Sequence, residues 1–205
     1  HDPDDIWSFA VWGLNWHTDD GVIIDRFACN PEMHADGSII SIRVAVHEAT
    51  HVLGIPDLYD YDDKLVTSTY YTPGDANDHP LVDWCVMGYY GYNIWSYGTR
   101  QDPSHHCAWA KKELGFVTPI SLTTSQKDVA VPEAQLNPVV YEVRRGTSQE
   151  HFLIENRNTQ SDAIFDHLDS DFSAFYTWFT PGQNLKDPGL LIAHVDAALN
   201  SNTNG

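Results

Sequence analysis

A chain of 205 residues with 42% hydrophobic content can bury one sizeable core, or a core and a smaller lobe. No apolar run approaches the roughly 18 residues needed to cross a bilayer, so membrane insertion is not expected. Against 11 basic residues stand 29 acidic ones, a net charge of −18 that repels phosphate backbones and anionic lipid and sets nucleic acid aside as a partner.

The acid recurs in short clusters, residues 2–5 and 60–63, which read as solvated surface. The alternative is calcium, with Asp60, Asp62 and Asp63 as candidate ligands, because hard cations take several carboxylate and carbonyl oxygens. No charged n-region and apolar h-region precede the first strand-like run, so any signal peptide is expected to have been removed or to lie outside this chain. Residues 6–12 and 22–28 are rich in Trp and β-branched side chains and predict strands. Asp36-Gly37-Ser38 supplies turn and capping residues. Ile39, Ile42, Val46, Ala49 and Leu53 then form a helical stripe, predicting a helix over about residues 39–53 that Gly54 and Pro56 terminate.

Residues 57–104 lack periodicity, and a connection of that length is usually functional or ligand-stabilised. A second helix is predicted over about residues 105–114, capped by Ser104, with Cys107, Ala110 and Leu114 on its stripe. From Val117 onward the stretches 129–131, 139–144, 151–155 and 190–195 read as strands between Pro-, Gly- and Asn-rich turns. The expected class is α+β, with a core over residues 1–116 and a β-rich lobe over residues 117–205.

His47-Glu48-Ala49-Thr50-His51 lies late in the first helix. Side chains four apart share a helical face, so the two imidazoles can hold one zinc ion, with Glu48 in reach of an activated water. A chance H-E-x-x-H in a chain of this composition has odds on the order of one in fifty. Gly54 can take a positive φ and turn the chain back, and Asp57 arrives six residues after His51 with a carboxylate acceptable to zinc. The third ligand is either Asp57 or a Glu from the second helix, where Glu113 is the candidate. His194 and Asp196 share a strand face and admit a second metal site; the other reading is a satisfied core histidine. His17, His34, His105 and His106 have no ligand-spaced partner. Cys29, Cys85 and Cys107 are odd in number and form no C-x-x-C, which argues against a cysteine zinc site. One disulfide and one leftover thiol fits an extracellular protein, and three free thiols a cytosolic one.

The full string HEATHVLGIPD resembles the metzincin signature, with Asp in place of the third His. That resemblance implies a Met-turn beneath the ligands, for which Met87 in Trp84-Cys85-Val86-Met87-Gly88 is the candidate, and it gives Tyr89 a place where a hydroxyl can assist the transition state. More of the chain resembles the immune inhibitor A family of secreted metallopeptidases. Ile6-Trp7-Ser8 resembles its entry segment, with Phe9 where His is usual, and residues 47–60 resemble its zinc helix and following loop. Pro103-Ser104, Ala108-Trp109, Lys111 and Leu114-Gly115 resemble its second helix. FLIENR (152–157) and GLLIAHVD (189–196, with Ala193 for Trp) resemble its late strands.

The resemblance implies a zincin fold, zinc ligation by His47, His51 and Asp57, Glu48 as general base, and endopeptidase activity on protein or peptide substrates. It also implies secretion and a propeptide. Only about 38 residues precede the helix, so upstream zincin elements are expected to lie outside this chain. If Met87 turns against the second helix, Cys85 and Cys107 are the expected disulfide pair and Cys29 the leftover. A strand over residues 22–28 is the expected edge for an extended substrate. The competing expectation is an inactive relative that binds glycans or proteins, suited by the aromatic residues crowded into 84–97.

Overall fold

The computed structural model describes residues 6–33, 37, 39–40, 42–59, 81, 84–88, 103–144, 146, 150–158 and 189–195. These residues form a mixed α and β structure. β1 (Phe9–Val11) pairs antiparallel with β4 (Phe27–Cys29), and β2 (Trp16–His17) with β3 (Ile23–Ile24). Helix α1 (Ile42–Val52) and the short α2 (Ala108–Glu113) follow. β5 (Ile120–Ser121), β6 (Tyr141–Arg144), β7 (His151–Arg157) and β8 (Gly189–Val195) make a four-stranded sheet in that order, antiparallel except for β5 on β6.

Several expected elements move. The stretch 22–28 is two strands, because the chain changes partner at Asp25-Arg26: the residues before pair with β2 and those after with β1. Residues 129–131 form no strand; Asp128 takes a φ of 55°, and the Val131 carbonyl accepts from the Asn156 side chain at 2.9 Å instead of joining a ladder. Strand β5 has two residues, too few to show alternation, and it pairs in parallel with β6 across a long connection. Ile39 bridges Met33 rather than opening α1. His105 and His106 precede α2; Cys107 is its N-cap with no side-chain capping hydrogen bond, and the buried Ser104 hydroxyl, expected to cap, has no hydrogen-bond partner among the described residues.

The largest correction concerns the face of α1. Ile39, Ile42, Ala49 and Leu53 are exposed, while Arg43, Val44, His47, Glu48 and Thr50 are buried. Periodicity finds an apolar stripe but does not weigh the hydrogen bonds available to the opposite face. Here that polar face meets the turn at residues 85–88, which closes with Gly88 N–H donating to the Cys85 carbonyl at 2.9 Å.

That turn belongs to one core cluster with Ile55, Cys85, Val86, Met87, Cys107 and Ala110. Ala108, Val117, Val140 and Leu153 form a second, and Trp109 packs against both, so α2 lies between the turn and the sheet. An ionic cluster completes this support. Lys111 donates to Glu155 at 2.6 Å, and Arg157 donates to Glu155 at 3.3 Å and to the Trp84 carbonyl at 3.0 Å. Burial lowers the pKa of Lys111, and the Glu155 carboxylate opposes that shift.

Candidate metal centre

Helix α1 ends in a paired-hydrogen-bond turn. Gly54, at a φ of 103°, donates to the His51 carbonyl at 2.8 Å, and Ile55 donates back to Thr50 at 3.3 Å. A side chain at position 54 would be strained by that φ and would meet Arg26 Nη1 at 3.3 Å. The turn folds the following chain back under the helix. Buried Ile55 anchors it, and Leu58 N–H donates to the Met87 carbonyl at 2.9 Å, so Asp57 is held between two fixed points.

Each histidine is oriented by a backbone carbonyl. His47 Nδ1 lies 2.8 Å from the Val86 oxygen and His51 Nδ1 lies 2.8 Å from the Ile55 oxygen. A carbonyl only accepts, so Nδ1 carries the proton in both rings and each neutral Nε2 presents a lone pair. The two Nε2 atoms are 3.1 Å apart, and Asp57 Oδ1 lies 3.0 Å from one and 3.3 Å from the other. Three electron-rich atoms converging in a buried space repel one another unless a cation stands among them. A tetrahedral ion with bonds of about 2.0–2.1 Å spaces its ligand atoms about 3.3 Å apart, close to what these three show. The donor set of two imidazoles and one carboxylate suits zinc.

With no ion among the three atoms, the alternative is a proton on Nε2, which then donates to Asp57. Burial alone would raise the Asp57 pKa, but hydrogen bonds from His47 and His51 hold it at about 2. Burial alone would lower that of His51, and the hydrogen bond to Asp57 raises it instead. Glu48, buried next to His47, is raised by desolvation against the pull of both histidines.

Of the expected site residues, the structure brings His47, His51 and Asp57 into one group and buries Glu48 beside them. Glu113, the other candidate ligand, is exposed on α2 and stands outside that group. Met87 is fully buried in the turn whose preceding carbonyl holds His47. Tyr89, Asp60, Asp62, Asp63, His34 and Asp196 lie outside the described residues, as do the aromatic side chains of 89–97. His194 is not a core residue: it is half exposed, stacks on Phe152 and lies 3.5 Å from Glu150. Cys85 and Cys107 meet in the core as expected, but as free thiols, with Cys107 N–H donating to Cys85 Sγ at 3.3 Å. Burial alone would raise the Cys85 thiol; hydrogen bonds from the Cys107 thiol and backbone and from Met87 bring it to about 7. Cys29 lies apart on β4.

Three features had gone unread in the sequence. The Val86 and Ile55 carbonyls leave no trace in side-chain identity. His106 Nε2 lies 2.9 Å from Thr50 Oγ1; that hydroxyl donates to the Val46 carbonyl, so it accepts from His106 and ties α1 to the start of α2. The Lys111–Glu155–Arg157 cluster had a signal, since strand alternation puts Glu155 and Arg157 on the same face as Leu153. No protein-family model, curated protein or solved structure matches this chain. Among the described residues no helix is long and apolar enough to cross a membrane.

Proposed function

We propose that this chain carries the catalytic centre of a secreted zinc endopeptidase with a zincin-like active-site helix. The convergence of His47 Nε2, His51 Nε2 and Asp57 Oδ1 on one buried point, with Glu48 beside it, is the observation that carries the reading. The resemblance of residues 47–60 to the immune inhibitor A peptidases supports it.

When bound, zinc supplies a Lewis acid that polarises the substrate carbonyl and makes water acidic near neutral pH. The remaining work falls to the chain. The Val86 and Ile55 carbonyls fix both imidazoles in the Nδ1–H form, so neither ligand needs to reorient. Met87 and Ile55 are buried in one core cluster with Val86, which anchors both segments whose carbonyls hold the imidazoles. The Glu48 carboxylate, its pKa raised by burial, takes a proton from the attacking water and passes it to the leaving amine.

Metal analysis, casein or fluorogenic-peptide cleavage and the Glu48→Gln variant together test the reading. One zinc per chain is expected, with cleavage lost on chelation and restored by zinc. E48Q is expected to keep its zinc and lose roughly 10²- to 10⁴-fold in turnover. Near-normal turnover in E48Q, or a protein that takes up no zinc, would sink the proposal. Stoichiometric zinc without any cleavage would move the reading to the glycan- or protein-binding relative.

A further inference from the structure

One exposed tryptophan stands against the ligand set. The ring of Trp12 lies 6.3 Å, centroid to centroid, from that of His51, at an interplanar angle of 49°, while the residue is 63% exposed. It is not on a loose tip. Trp12 follows directly on β1, which is paired through Val11 to Phe27 of β4. Leu14 N–H donates to the Asp25 carbonyl at 3.1 Å, closing the chain two residues beyond. Arg26, at the base of β4, donates from Nη1 to the Val52 carbonyl at 3.2 Å and fastens this ribbon to the last turn of α1. The guanidinium also sits at the negative end of the helix, where a cation is favoured. A large aromatic face is thereby held at the edge of the metal centre with most of its surface uncovered.

An indole held this way offers a planar apolar surface at little conformational cost, which is what a binding cleft uses to grip a side chain. The ring is tilted against His51 rather than stacked on it, so its exposed surface lies beside the ligand set and is open to an approaching side chain.

We propose that Trp12 is the aromatic wall of the substrate cleft, and that the centre therefore selects peptides with a bulky apolar or aromatic side chain adjoining the scissile bond. This rests on the peptidase reading given above. Trp12 touches substrate in this account and takes no part in proton transfer.

Two readouts test it on the zinc-loaded protein. The first uses fluorogenic peptides that carry Phe or Ala at either residue flanking the scissile bond. A preference for Phe of roughly tenfold in kcat/KM is expected at one of these positions. Trp12→Ala is expected to erase that preference with zinc content unchanged, and Trp12→Phe to keep most of it. The second is calorimetric binding of uncleaved Phe and Ala peptides to E48Q, where the same selectivity is expected and is lost in E48Q combined with W12A. Selectivity that survives W12A, or that the unsubstituted protein never shows, overturns the proposal. Loss of zinc in both W12A and W12F overturns it too, since Trp12 would then be a prop for His51. A protein that cleaves nothing while E48Q still binds Phe peptides selectively through Trp12 would break the peptidase reading and leave the role of Trp12 standing.

Discussion

The two sides of the candidate metal centre are built on opposite principles. On one side, the inward faces of the turn at residues 85–88, α2 and β7 are tightly packed: Cys85, Val86, Met87, Cys107 and Leu153 are fully buried, and the Lys111–Glu155–Arg157 cluster is buried with them. On the other, the β1–β4 and β2–β3 pairs are two or three residues deep and leave Trp12, Trp16 and Ile23 in solvent. The packed side sets ligand geometry, because a backbone carbonyl such as Val86 can aim an imidazole only if its own turn cannot move. The thin side has no such duty, and its exposed rings are free to meet a ligand. Changes on the packed side should therefore cost metal and stability, and changes on the thin side should cost neither.

The largest effect is expected at the junction. Asp57→Ala removes the proposed third ligand and the partner of both histidines, and should weaken zinc binding by more than about 100-fold. Competition with a chromophoric chelator measures it, and unchanged affinity would take Asp57 out of the ligand set. Next comes Glu155→Ala, which strands Lys111 and Arg157 as buried charges and should destabilise the fold by about 3–5 kcal/mol. Urea unfolding of the zinc-loaded protein reads it; a cost below about 1 kcal/mol would mean the cluster relaxes to solvent and the packed side is looser than described.

Cys85 and Cys107 allow a gentler test. Under oxidising conditions they should pair with one another and not with Cys29, closing a loop of 22 residues that adds about 3 kcal/mol in the chain-entropy model. Non-reducing peptide mapping would show it, and any link to Cys29 would contradict the placement of the turn against α2.

Acid should act on the packed side as well. Burial, aided by Lys111 and Arg157, holds His105 at about 3 and His106 at about 4, against an unfolded value near 6.5. Between those values the unfolded chain binds more protons, so stability falls as pH drops from about 6.5 towards 4. Replacing both histidines by Asn should flatten that loss relative to the parent protein. Unfolding curves at pH 7 and pH 5 decide it, and equal slopes in the two proteins would place these rings in solvent. The smallest effect is expected at Trp16→Ser on the thin side, within about 0.5 kcal/mol and with zinc retained.

The pairing of His47 with His51, the carboxylate that joins them and the glycine that returns the chain were all legible in the sequence. They follow from local rules: helical spacing puts His47 and His51 on one face, and a positive φ at Gly54 returns the chain so that Asp57 arrives beneath them. Late strands β6, β7 and β8 were legible for the same reason, since alternation is local. What the sequence did not determine was which face of α1 turns inward, how the chain between residues 22 and 28 divides between partners, and what aims the two imidazoles. Each depends on contacts between residues far apart in the chain. The Val86 oxygen lies 39 residues from His47, Glu155 lies 44 from Lys111, and a carbonyl carries no identity for a sequence to display. Tertiary structure alone joined these groups, because only packing decides which of several chemically equivalent backbone acceptors a buried side chain will meet.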